Sequence, residues 1–110
     1  MNIKESQLKI CAKYQSEFEQ LKPNEMVAVA LDTLGQMPIV GERIVLEEDK
    51  NVSWFIYCGE YSDADDFYKP IHWYHLIEIL PEVLPYLGLE QGFRFIIDNE
   101  GYEDVWKDEN

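Results

Sequence analysis

Apolar residues recur at three- and four-residue steps through Leu8, Cys11, Tyr14, Phe18 and Leu21, which predicts one helical stripe near the start of the chain. Lys9, Lys13, Glu17 and Gln20 fall largely outside it, and Glu5 with Lys9 forms a favourable i,i+4 pair. Pro23 and Asn24 end the helix, because the residue before a proline avoids helical geometry. Met26–Leu31 then reads as a short strand that Asp32-Thr33-Leu34-Gly35 breaks. Residues 38–41 lead into a second predicted strand, Arg43–Leu46. The polar run 47–51 reads as an exposed connection. Val52–Cys58 has the most β-type composition, with Trp54, Phe55, Ile56 and Tyr57, and is predicted to lie centrally with both faces covered.

Gly59–Lys69 reads as a long acidic loop closed by Pro70. From His72 to Leu87 the pattern turns helical, with Leu76, Ile79, Leu80, Val83, Leu84 and Leu87 on one stripe. Pro81 and Pro85 each remove a backbone donor, so two short helices joined at Pro81 are expected, with Gly88 as a C-cap. Phe93–Ile97 and Tyr102–Trp106 flank Asp98-Asn99-Glu100-Gly101 and predict a hairpin. No repeat or flexible linker divides the chain, so residues 1–110 are read as a single domain. The sum is an α+β fold, an antiparallel sheet with the N-terminal helix and the proline-broken helical pair packed on one face. A βαβ alternation is not seen, which disfavours a doubly wound fold.

Composition adds the sign of the partner. The 110 residues are 46% hydrophobic and 14% aromatic, too apolar for a disordered segment. Twenty-two acidic against nine basic residues give a net charge of −13. The first 22 residues hold four lysines against three glutamates, so the acidity belongs to the body of the domain. Such a field repels phosphate backbones and anionic lipid, and it favours a basic protein partner over nucleic acid or membrane. The N-terminal residues contain no uninterrupted apolar h-region, and Val27–Leu31 and Trp54–Cys58 are too short to span a bilayer. Cys11 and Cys58 form no CxxC pair, so a reduced, cytoplasmic protein with two buried thiols is expected.

Few residues are candidates for chemistry. His72 and His75 stand at i,i+3 with Glu78 continuing that face, but no HExxH pattern or second ligand cluster accompanies them. Asp63-Ala64-Asp65-Asp66 lacks the spacing, central glycine and closing glutamate of a calcium loop. Cys58 with either histidine has no nucleophile signature around it, and the six glycines form no phosphate cradle. No metal, cofactor or catalytic residue is therefore assigned. The acidic loop is the stronger feature. Glu60, Tyr61, Asp63, Asp65, Asp66 and Tyr68 combine carboxylates, which accept from Lys or Arg and raise association rates, with aromatic anchors. The same composition also suits a solvated loop that only keeps the protein soluble. Asp98, Glu100, Glu103, Asp104, Asp108 and Glu109 form a second acidic cluster with the same two readings. Trp54, Phe55 and Tyr57 are read as core, and Trp73 and Trp106 as partly exposed.

From Trp54 onward the chain resembles the thirty-third immunity family of bacterial polymorphic-toxin systems. The resemblance is carried by Trp54-Phe55-Ile56-Tyr57-Cys58-Gly59-Glu60, the acidic Asp63–Asp66, His75-Leu76-Ile77 through Leu84-Pro85-Tyr86-Leu87-Gly88, Gly92-Phe93-Arg94-Phe95, and Tyr102-Glu103-Asp104-Val105-Trp106. Val27–Thr33 adds a weaker similarity, and the N-terminal helix lies outside it. The resemblance implies a small cytoplasmic domain that binds and neutralises a cognate toxin and has no activity of its own. Toxins of this kind are often nucleases with basic clefts, which an acidic inhibitor can occupy as a charge mimic of the substrate. Two rivals stand beside this reading. One is a homodimeric regulatory or scaffold module, and the other is a small metalloenzyme using His72, His75 and nearby carboxylates.

Overall fold

Alternation of inward and outward side chains builds the domain around one sheet. A computed structural model describes residues 2–45 and 52–108 of the chain. Among the described residues six strands pair in the order β4-β1-β3-β2-β5-β6. They are β1 (Met26–Val29), β2 (Ile39–Arg43), β3 (Val52–Cys58), β4 (Lys69–His72), β5 (Phe93–Ile97) and β6 (Glu103–Lys107). β3 lies inside the sheet, and the hairpin of β5 and β6 forms one end. The hairpin turn closes on Asp98, whose Oδ1 accepts from the backbone N–H groups of Glu100 and Tyr102, each at 2.9 Å.

The α+β class stands, but the sheet is mixed. β3 pairs antiparallel with β2 on one side and parallel with β1 on the other. The reason is geometric. β2 reverses the chain after β1, and β3 reverses it again while inserting between the two, so β3 runs alongside β1. The second strand spans Ile39–Arg43 and not Arg43–Leu46. Ile39, Gly41 and Arg43 face inward, and Arg43 ends the strand buried. Leu46 and the predicted connection 47–51 lie outside the described residues. β4 was hidden in the sequence because Pro70 reads as a loop residue. A proline fits where the sheet edge needs no donor, and here Pro70 sits beside Ala28 on an edge strand.

One helical layer covers one face. The helix α1 (Ile3–Lys13) opens on Asn2, whose side chain accepts from the Glu5 N–H at 3.3 Å. The predicted stripe to Leu21 breaks at Tyr14. Gln15 takes a left-handed backbone with φ 58°, and two bonds close a Schellman cap: Ser16 N–H to Cys11 C=O at 2.8 Å and Gln15 N–H to Ala12 C=O at 3.4 Å. Beyond it the chain runs extended because its backbone finds partners elsewhere. Glu19 N–H donates to Gly88 C=O at 2.9 Å, and Phe18 bridges Leu89. Leu21 still reaches the core from this segment, whereas Leu8 is exposed and Gln7 takes a buried position.

The proline-broken pair forms as expected, as α2 (Leu76–Ile79) and a 3-10 helix over Pro81–Tyr86, preceded by a 3-10 turn at Trp73–His75. Leu76, Leu80, Val83, Leu84 and Leu87 are buried, while Ile79 faces solvent. Gly88 is not the left-handed cap that its position suggested. It is small for another reason: a Cβ there would meet the Phe18 ring at 2.8 Å and Gln7 Cβ at 3.1 Å. Across the core Trp54 packs on Phe95 with centroids 5.5 Å apart, and Tyr86 stacks on Phe95 at 4.9 Å. Gly41 lies under that ring, where any Cβ would collide with it.

A buried ion pair ties the layers. Arg43 is 4% exposed, and its Nη1 donates to the carbonyls of Glu19 (3.0 Å), Leu87 (3.1 Å) and Leu89 (2.7 Å). Its Nη2 lies 3.5 Å from the carboxylate of Glu25, itself 5% exposed and held by Ser53 Oγ at 2.6 Å. The sheet thereby grips both the extended segment after α1 and the helical pair.

Candidate functional site

Because the helical layer covers one face, alternate residues of the strands are left on the other. From β3 these are Phe55 and Tyr57, and from β2 Val40 and Glu42. From the hairpin they are Arg94, Ile96, Asp104 and Trp106. The loop from Gly59 to Tyr68 folds back over part of this surface. Tyr68 meets Phe55 edge-on at 5.0 Å, and Tyr57 is met by Tyr61 at 5.7 Å and by Phe67 at 6.0 Å. Phe67 also contacts Tyr61 and Tyr68, at 5.5 and 4.9 Å. These rings moor the loop to the sheet.

Between the moored loop and the hairpin lies a depression of about 390 Å³. Phe55, Tyr57, Tyr61, Tyr68 and Trp106 supply aromatic walls, and Glu42 and Arg94 its charged part. Arg94 Nη2 pairs with Glu42, and Arg94 Nε lies 3.4 Å from Asp108. Burial, and after it the neighbouring Tyr61, Tyr57 and Glu42, push the Tyr68 hydroxyl up to about 12, so it stays a neutral donor at physiological pH.

Of the six residues singled out in the loop, Glu60, Tyr61, Asp63, Asp65 and Asp66 are exposed and Tyr68 is half-buried. Tyr61 stays 60% exposed although its ring touches two others. Phe67, not singled out, is the hub of the loop's ring contacts. The second acidic cluster does not act as one. Asp104 shares the open face, opposite Ile96. Glu103 turns to the helical side, where it accepts from Lys13 Nζ at 2.6 Å and from the hydroxyls of Tyr14 and Tyr86. Burial would raise that carboxyl, but the three donors outweigh it and hold it at about 2. Asp98 closes the hairpin turn, and Glu109 lies outside the described residues.

Trp54 is core and Trp106 is half-buried in the depression, as expected, whereas Phe55 and Tyr57, also read as core, are half-buried on the open face, because alternate residues of β3 point away from the helical layer. Glu42, Arg94 and Ile96 were missed. The signal was the period-two alternation of the hairpin, legible only once the partner strand β2 is located correctly. Cys11 and Cys58 are buried free thiols, and burial pushes both up. The rings of His72 and His75 are 6.0 Å apart, and among the described residues no group of three His, Cys, Asp or Glu is placed to hold a metal ion. No helix among the described residues is long and apolar enough to cross a membrane.

This arrangement offers contact area and negative charge on one sheet face, and the residues lining the depression include no nucleophile–base pair. The model of one protein family, the Imm33-like domain, matches residues 6–108. The match takes in most of α1, which the resemblance in the sequence did not reach. No curated protein and no solved structure matches the chain.

Proposed function

The chain belongs to the Imm33-like domain family, and from that membership we propose that it is a non-enzymatic, cytoplasmic immunity protein that neutralises a cognate bacterial toxin by binding it. The partner surface is basic. Contact is made by Glu60, Tyr61, Asp63, Asp65, Asp66 and Tyr68 together with the sheet face beneath them. The observation that carries this reading is the loop itself. Its aromatic side chains are moored on the sheet while its carboxylates stay in solvent, so charge is presented from a fixed frame at little ordering cost on binding. A loop that only kept the protein soluble would need no such mooring. Carboxylates held this way steer a basic partner and compete with a polyanionic substrate for its cleft.

The test is neutralisation in cells that co-express the toxin. D63K/D65K/D66K, whose positions are exposed and contribute nothing to the core, is expected to abolish protection while leaving expression and thermal unfolding unchanged. Protection equal to wild type would refute the loop assignment.

A second reading has one observation in its favour. A groove of about 270 Å³ lined by Ile3, Ser6, Ile77, Pro81, Leu84 and Pro85, with Ile77 itself 46% exposed, is apolar enough to pack a second copy as a homodimeric scaffold. Light scattering separates the two. A dimer indifferent to salt supports the scaffold, because apolar contacts are little screened.

A further inference from the structure

We propose that the aromatic depression on the open sheet face is a receptor for one arginine side chain of the partner, a proposal that rests on the binding role inferred above. Three features of the cavity carry it. The first is size and lining: about 390 Å³ has ample room for one long side chain, and the rings of Tyr57, Tyr61, Tyr68 and Trp106 line it, as suits a flat cation. The second is charge. Glu42 and Arg94 offset each other in the lining, while Asp104 on β6 and the exposed Asp63, Asp65 and Asp66 on the loop that covers part of this face make the surroundings negative. An apolar or anionic group would gain nothing from that field, and a cation gains from both field and rings.

The third is that a guanidinium already fits this chemistry. Arg94 sits in the same lining, bound to Glu42 through one nitrogen and within 3.4 Å of Asp108 through another. An entering arginine draws on the remaining lone pairs of Glu42, while Asp108 offers Arg94 a second carboxylate. Glu42 then becomes shared between two guanidinium groups. A lysine is the poorer occupant. Its compact, strongly hydrated ammonium neither stacks on the rings nor forks to a carboxylate.

The experiment is a low-salt NMR titration of the full-length protein with acetyl-Gly-Arg-Gly-amide, set against the same peptide carrying lysine or citrulline. The arginine peptide is expected to shift the Trp106 indole N–H and the Arg94 side chain. The lysine peptide should shift them less at equal concentration, and citrulline, which keeps the shape and lacks the charge, should not shift them. E42Q should weaken arginine binding about tenfold, the loss of a charge-assisted hydrogen bond. Y61A removes a ring from the lining and should weaken it severalfold, with Y61F, which keeps the ring, binding as wild type. Shifts confined to loop residues 60–66, or equal responses to all three peptides, would overturn the receptor while leaving the loop's role in neutralisation intact. Failure of the immunity reading shows separately, as no protection by the wild-type protein in cells that express the toxin.

Discussion

Replacing Arg43 by methionine is expected to be the most damaging single change outside the apolar core, and its size follows from the hydrogen bonds and the charge that Arg43 supplies. Methionine fills much of the same volume, so the cost is chiefly polar. The substitution strips three backbone carbonyls of a donor and leaves the Glu25 carboxylate, 5% exposed, without a cation. Removing one partner of a buried, hydrogen-bonded ion pair costs about 3–5 kcal/mol. That is a large share of the roughly 5–15 kcal/mol typical of a whole domain. The midpoint of thermal unfolding should fall by on the order of 20 °C. Urea unfolding followed by tryptophan fluorescence measures the loss, with Trp54 beside Arg43 as reporter. The double variant E25Q/R43M removes the stranded charge while the amide oxygen at position 25 still accepts from Ser53 Oγ, so it should be about 1–2 kcal/mol more stable than R43M alone. A loss under about 1 kcal/mol for R43M at unchanged m-value, or a double variant weaker than either single one, would refute this account of the ion pair.

Glu103 gives a pH prediction. Its folded carboxyl sits at about 2 against an ordinary value of 4.5, so its contribution is complete above pH 4.5 and is lost as pH falls towards 2. In E103Q the acid limb of a stability-versus-pH curve should flatten, and about 1–2 kcal/mol should be missing at pH 7; an unchanged limb would disprove the role of the Lys13, Tyr14 and Tyr86 donors. Gln15 caps α1 with φ 58°, where glycine is at ease, so Q15G should raise stability by roughly 0.5–1 kcal/mol in urea unfolding, and a loss would contradict the Schellman assignment.

The parts legible in the sequence are those whose signal is local. β3 was readable from its aromatic and branched composition, and the hairpin from two β-type runs flanking turn residues. The break at Pro81 was readable because proline's missing donor acts wherever it stands. The end of α1 was not, because Phe18 and Leu21 keep helical spacing while the backbone of Phe18 and Glu19 pairs with Leu89 and Gly88. Nor was the true span of β2, where Arg43 looks like a polar boundary until Glu25 is found beside it, 18 positions earlier in the chain. The same distinction runs through the site. Tyr61 and the loop carboxylates announce themselves by composition, whereas Glu42, Arg94 and Trp106 join them only through sheet register.

Association kinetics of the protein with its toxin across ionic strength test the central claim most directly. If the moored acidic loop steers docking, the association rate should fall steeply between about 0.02 and 0.5 M salt, and D63K/D65K/D66K should both slow it and flatten that dependence. Rates that ignore salt and the triple substitution alike, with binding still tight, would contradict the account.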